Sequence, residues 1–250
     1  QLPIGTQFGN PVIGESFTTW RAGLRHEAAL WGAGLDAEAR DSTSSLAQNL
    51  RLRADGAPAE NWALGAEMFL GRRADRGQSW QHEAQLRLSA AHRSGPRAPV
   101  SLLQADLRQS DAGGVQTTTA ILSAYQSRYL AADAFLNLRY GMKYTRAHLQ
   151  SGRADDVLSL LGAEYRHDLT ETVDLGLHMA GLYAARSGRL AHSFGLSLGI
   201  TPFPDGWLSF GYNLTGFHDP DFAALGQTAR GGFVQFRLKF DVDTVRRLFQ

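Results

Sequence analysis

The sequence predicts an all-β fold, an up-and-down antiparallel transmembrane β-barrel of about 12 strands. Three observations carry that expectation. From Gly231 to Asp241, Val234, Phe236, Leu238 and Phe240 alternate with Gln235, Arg237, Lys239 and Asp241. A period of two marks a β-strand with one apolar and one charged face. Nearly every other segment repeats it, in runs of about 10 to 14 residues. Such runs exceed the usual strand of about 5 or 6 residues and suit the tilted crossing of a bilayer core. The connections also alternate, with turn chemistry at one end and polar loops at the other.

Composition narrows the classes. The 250 residues hold 25 basic and 24 acidic side chains, a formal net charge of +1, so no strong field for nucleic acid is expected. Cysteine is absent, which excludes a disulfide framework and a thiolate metal site. No run of about 18 apolar residues is present, so no transmembrane helix is expected. The chain does not open on a basic-then-apolar signal segment. Gln1 either follows a removed signal peptide or begins a piece of a longer protein.

Taken in order, residues 1–16 are rich in proline and glycine and form an irregular lead-in or an interior plug. Trp20, Ala22, Leu24, Ala28 and Leu30 are even, whereas Trp31, Ala33, Leu35, Ala37 and Ala39 are odd. That slip requires a bulge or a turn near Leu30. After a polar loop at Asp41–Ser45 the phase settles. Leu46, Leu50 and Leu52 oppose Asn49, Arg51 and Arg53, and Leu64 to Leu70 oppose Gly65, Glu67 and Phe69. Ala84, Leu86 and Leu88 oppose Glu83, Gln85 and Arg87; Leu103 and Leu107 oppose Asp106 and Arg108. Thr117–Arg128 is strand-like without a clear phase. Leu136 to Tyr144 oppose Asn137, Arg139, Gly141 and Lys143, and Leu161 to Tyr165 oppose Glu164 and Arg166. Leu175, Leu177 and Met179 oppose Asp174 and His178; Leu196 and Leu198 oppose Gly195, Ser197 and Gly199. Leu208 to Leu214 then precede a long loop and the final strand. Asp168–Glu171 and Thr201–Asp205 are tight turns, whereas Arg73–Ser79, Ser110–Val115, Ala147–Asp155 and Thr215–Arg230 are the opposing loops. The barrel is placed at 17–241, with a periplasmic tail at 242–250.

Alternation alone leaves open which face points outward, since a soluble barrel or sandwich inverts the same pattern. Three features favour lipid outside. The polar face carries Arg, Glu, Gln and Gly on strand after strand, a set suited to a lumen where opposite charges pair. The apolar face is mostly leucine, which is not a favoured strand residue, and lipid asks only for apolarity. Trp20, Trp31, Trp62, Trp80, Tyr129, Tyr183, Phe203 and Trp207 sit toward strand ends, as in an interfacial aromatic girdle.

The last strand, closing on Phe240, resembles the C-terminal assembly signal of bacterial outer-membrane proteins, although ten residues follow that ring. Gly211-Tyr-Asn-Leu-Thr-Gly-Phe-His-Asp-Pro-Asp-Phe, with Thr228–Asp241, resembles the end of the barrel module that closes large repeat-rich Gram-negative surface proteins. These resemblances imply a bacterial outer-membrane location, recognition by the barrel-insertion machinery, and a membrane anchor whose passenger lies outside this chain.

Candidate chemistry is sparse. His192 and Ser193 are adjacent, so they face opposite ways and cannot act as base and nucleophile together. His178 and Asp174 share the inner face as a possible base and its orienter, with no serine nucleophile placed by the sequence. The loop His218-Asp-Pro-Asp-Phe could touch calcium, but it lacks the spacing of a calcium loop and reads better as a polar surface loop with an Asx turn. Gly195 and Gly199 fit inner-face positions where side chains crowd. The richest constellation is the inner-face charge set. Arg51, Arg53, Arg87, Arg108, Arg139, Lys143, Arg166, Arg237 and Lys239 share that face with Asp36, Glu38, Glu67, Glu83, Asp106, Glu164, Asp174 and Asp241. Either they form a cross-strand lattice of ion pairs or they tune a small pore. At about 12 strands a narrow or plugged lumen is expected, below the 16 to 18 strands of open porins.

The expected role is an outer-membrane anchor or scaffold for an exported region or envelope partner, in contact with outer-membrane lipid and lipopolysaccharide. A narrow channel is the alternative, and a barrel enzyme acting on lipid the third reading. No enzyme activity, cofactor, metal or nucleic-acid partner is expected.

Overall fold

The computed structural model describes residues 16–95, 98–149, 152–203, 206–222 and 228–238. Thirteen strands follow in order: β1 (Phe17–Glu27), β2 (Trp31–Ser42), β3 (Ser45–Ala59), β4 (Trp62–Asp75), β5 (Gln81–Arg93), β6 (Val100–Ala112) and β7 (Val115–Ala131). The second half holds β8 (Ala134–Leu149), β9 (Gly152–Asp168), β10 (Val173–Ala184), β11 (Arg189–Phe203), β12 (Gly206–Thr215) and β13 (Gly231–Leu238). They form one sheet in sequence order, β1 to β13, each strand beside its predecessor. Registers such as Phe17↔Ser42 in β1–β2 and Val173↔Ile200 in β10–β11 are antiparallel. Among the described residues there is no helix.

Among the described residues the count is thirteen because the slip near Leu30 is a complete hairpin turn. Glu27 pairs with Gly32, and the Ala28 amide donates to Trp31 O at 2.8 Å. Ala28-Ala29-Leu30 contains none of the usual turn residues, so only the change of phase announced it.

One of the opposing loops is a tight hairpin. β6 runs to Ala112 and β7 begins at Val115, joined by Gly113 and Gly114 at φ 60° and 80°. Positive φ at both central residues is what a type I′ turn requires. β8 likewise continues to Leu149 and β9 starts at Gly152. Polar residues there belong to strands that overhang the apolar band. The lead-in at 1–15, Lys239, Phe240, Asp241 and the 242–250 tail lie outside the described residues.

The strands gather into two compact units, one of residues 1–90, 104–121 and 144–155, the other of residues 91–103, 122–143 and 156–250. Each shows the same facing. In the second unit Leu161 is 66% exposed and Leu198 46%, while Asn137, Glu164, Arg166, Asp174, Ser197 and Asn213 are buried. In the first, Leu64, Leu88 and Leu107 are exposed and Asp106 and Gln85 buried. Among the described residues the buried hydrophobic set is only Phe69, Ile121, Ala134, Leu160 and Phe222. A water-soluble β-protein buries its leucines and exposes its charges; here the order is reversed. Two of the inner apolar side chains explain why β7 had no legible phase. Ile121 lies buried on the same face as Tyr125, whose hydroxyl donates to Asn137 Oδ1 at 2.7 Å, so both faces of β7 read as apolar.

Seven of the eight aromatics picked for the girdle are exposed at strand ends. Trp207 is the exception. Its odd position in β12 turns it inward, where its indole N–H donates to Asp174 Oδ2 at 2.7 Å and Arg166 lies 4.3 Å over the ring.

Candidate functional site

The inner face carries local clusters of charge rather than one continuous row. In the first unit, register pairs Arg51 with Phe69 and Arg53 with Glu67. Arg51 Nε lies 3.3 Å from Glu67 Oε1, and Arg53 Nε 3.9 Å from Oε2. Glu38 pairs with Arg21 at 2.8 Å, and Asp36 sits opposite Arg51 in the β2–β3 register. A second cluster surrounds buried Asp106. Gln85 Nε2 donates to Asp106 Oδ2 at 2.9 Å, Arg87 Nη2 to the same oxygen at 3.0 Å, and Arg108 Nε to Oδ1 at 3.1 Å. Glu83 shares their face one pleat before Gln85.

The densest cluster lies in the second unit around Arg166, which is 1% exposed on its side chain. Its Nε donates to Glu164 Oε1 at 2.9 Å, its Nη1 to Asp174 Oδ1, and its Nη2 to Ser197 Oγ and Ser209 Oγ at 3.0 and 3.1 Å. Arg237 stacks 4.6 Å over Trp207. Asn137 Nδ2 reaches Glu164 Oε2 at 3.4 Å. Arg139 is buried over Gly162, where a β-carbon would sit 3.4 Å from its Nε. Gly199 is required in the same sense: a β-carbon there would run into the Asp174 carboxylate.

The structure adds the serine that sequence reasoning missed. Ser197 Oγ accepts from Arg166 and lies 2.7 Å from His178 Nε2, and His178 Nδ1 lies 3.8 Å from Glu164 Oε1. Ser197 and His178 stand opposite neighbours across β10–β11, where Leu177↔Leu196 and His178↔Gly195 are paired. Cross-strand diagonals of this kind leave no trace in a linear sequence. Asp174, expected as the orienter of His178, instead binds Arg166 and Trp207. The three side chains fall in the spatial order of a nucleophile, base and acid. Yet Ser197 is buried, and its oxygen is engaged by both Arg166 and His178.

Lys143 also finds partners far along the chain. Its Nζ lies 2.7 Å from Asp219 Oδ2 and 3.1 Å from Asp221 Oδ2, in the loop after β12. Phe222 follows, buried, with Lys143 5.7 Å above its ring. The Asx turn expected here is present, since the Asp221 amide donates to Asp219 Oδ1 at 3.0 Å. The loop is not a surface loop, however: the Asp219 side chain is 10% exposed. The Lys143 ammonium occupies both carboxylates of the candidate calcium loop. Among the described residues no group of three or more His, Asp or Glu could hold a metal ion. Lys143→Met should strip both carboxylates of their counter-charge and free the loop. Limited proteolysis within residues 216–230 should then become faster than in the parent, with the strands still resistant.

No protein-family model matches the sequence, and no curated protein matches it significantly. Solved structures do resemble the fold. The siderophore receptor PirA from Pseudomonas aeruginosa superposes with a TM-score of 0.64 at 12% identity, over 78% of this chain and 41% of that one. PirA from Acinetobacter baumannii gives 0.64 at 8% identity, over 80% and 40%. A bacterial polysaccharide outer membrane secretin gives 0.51 at 10% identity, over 90% of this chain and 81% of that one. The chain thus spans about two fifths of the length of the receptors. With its leucines turned outward and its charges turned in, this chain has the fold of a transmembrane β-barrel of the bacterial outer membrane.

Proposed function

We propose that this barrel is a membrane anchor or scaffold, serving an exported region or an envelope partner rather than passing solute. The observation that carries this reading is the filled inner face of the second unit. Arg166, Asn137, Ser209 and Asn213 are almost wholly sealed, and the loop after β12 is pinned there by Lys143. Interlocked side chains that satisfy one another leave little for water or a solute to replace. Reconstituted into planar bilayers, the barrel should be electrically silent. Stepwise currents from the purified parent would defeat the anchor reading.

A narrow channel is the second reading, favoured by the looser first unit. Arg53 is 51% exposed on its side chain and stands 3.9 Å from Glu67, so solvent reaches that inner face. Outer-membrane lipid and lipopolysaccharide wet the leucine face in either case, and the alternating edge of β13 suits recognition by insertion machinery. The resemblance of Gly211–Asp241 to the barrel module of repeat-rich surface proteins supports an exported passenger.

No enzyme activity is assigned. Ser197, His178 and Glu164 are read as part of the lattice, because a nucleophile must meet its substrate and this oxygen is enclosed. A fluorophosphonate probe should leave Ser197 unmodified in detergent-solubilised protein. Labelling that disappears in Ser197→Ala would restore the lipid-hydrolase reading.

A further inference from the structure

Outside the inner lattice, the first unit carries a cavity of about 520 Å³ that opens at the end of the strands nearest the β4–β5 loop. Most of its lining belongs to the outward face. Leu70 and Ala84 continue the apolar band, and beyond them stand Gln48, Arg72, His82 and Gln109. Arg72 and His82 share the pleat phase of Leu70 and Leu86, both exposed, whereas Phe69 and Gln85 between them are buried. The cavity therefore begins on lipid-facing surface and ends in polar side chains at the edge of the apolar band.

Arg72 is held in place before any ligand arrives. Its Nε donates to Gln48 Oε1 at 2.7 Å, across the β3–β4 pair Gln48↔Arg72, and its guanidinium lies 4.8 Å over the Trp80 ring. Among the described residues no carboxylate pairs with its terminal guanidinium nitrogens, and the side chain is exposed to the cavity. A guanidinium fixed by an amide and a ring is a ready binder of phosphate, because less side-chain entropy is lost on binding. His82 adds a second donor. Gln109 and Gln116 add amides, and Asp111 and Glu83 carboxylates, that pair with sugar hydroxyls, and the two carboxylates disfavour a bare polyanion.

We propose that this cavity is a headgroup site for a phosphorylated glycolipid of the outer membrane, with acyl chain along Leu70 and Ala84, phosphate on Arg72 and His82, and sugar hydroxyls on the glutamines. The assignment rests on the outer-membrane reading and gives it a specific lipid contact. The shared chemistry is a sugar phosphate; membrane lipid is the source to which the apolar floor points.

The test uses the full chain in non-ionic detergent with purified lipopolysaccharide as the probe, followed by native mass spectrometry. The parent should bind saturably, and Arg72→Gln with His82→Gln should bind about tenfold more weakly, the loss of one charge-assisted contact. Dephosphorylated lipopolysaccharide should bind the parent as weakly. Glucosamine phosphate without acyl chains should compete poorly; effective competition would mean a soluble-anion site and overturn the lipid assignment. Equal binding by parent and variant would overturn the site itself. Folding of the variant is checked by its unheated electrophoretic mobility. The two failures separate: a chain that stays monodisperse in plain buffer defeats the membrane reading, whereas a detergent-dependent chain indifferent to Arg72 defeats only this site.

Discussion

Replacing Arg166 with methionine should destabilise the folded barrel by about 3 to 5 kcal/mol, the usual cost of removing one partner from a buried ion cluster. The guanidinium is the hub of its cluster: it serves Glu164, Asp174, Ser197 and Ser209 at once, from strands β9 to β12. Methionine has similar bulk, so the loss reports charge and hydrogen bonding rather than a cavity. Two carboxylates would be left with weaker partners, His178 and Asn137 for Glu164, and Trp207 for Asp174. Denaturant titration in detergent micelles or vesicles, followed by tryptophan fluorescence, gives the measurement. Adding Glu164→Gln and Asp174→Asn to Arg166→Met should recover much of the loss, because neutral amides tolerate burial without a cation. If the single and triple variants are equally unstable, the cost is packing and the lattice is not electrostatic.

The second large effect tests the facing. Leu198→Arg should cost about 2 to 4 kcal/mol in a bilayer, the range for a cation on the lipid face near the midplane. Leu198 lies opposite Leu175 and beside Phe210, all three exposed, so the new charge has no partner on that face. Its neighbour Ser197 faces inward, and Ser197→Ala removes hydrogen bonds to Arg166 and His178 at a cost of about 1 kcal/mol. The ordering matters more than either value. Unfolding from lipid vesicles should rank Leu198→Arg well below Ser197→Ala in stability; the reverse order would mean that hydrocarbon does not wet the leucine side. An inner-face position is not tolerant merely because it avoids lipid, and Asn137, held by Tyr125 and Glu164, should be as sensitive as Ser197.

Much of the architecture was legible in the chain itself, and the limits of that legibility have causes. Where a strand separates leucine from charge, as in β8, or from serine and glycine, as in β11, alternation revealed both the strand and its two faces. Where apolar side chains occupy both faces, as with Ile121 and Tyr125 in β7, the period vanished. The turn at Ala28-Ala29-Leu30 announced itself only by its change of phase, the Gly113-Gly114 turn passed for part of a polar loop, and strands that overhang the apolar band looked like loops because their ends are polar. The charged inner set was named residue by residue from pleat parity. Its partners were not, since Lys143 meets Asp219 from a distant loop and Ser197 meets His178 across a diagonal.

By itself, then, the sequence determined the class of fold and which side of each strand is apolar, because a period of two is a local property of an extended backbone. Only tertiary structure decided that leucine faces out, that Trp207 turns in, and which charges meet. Register, sheet curvature and loop return bring together residues tens of positions apart, and those distances are set by strand pairing rather than by any neighbouring pair of letters.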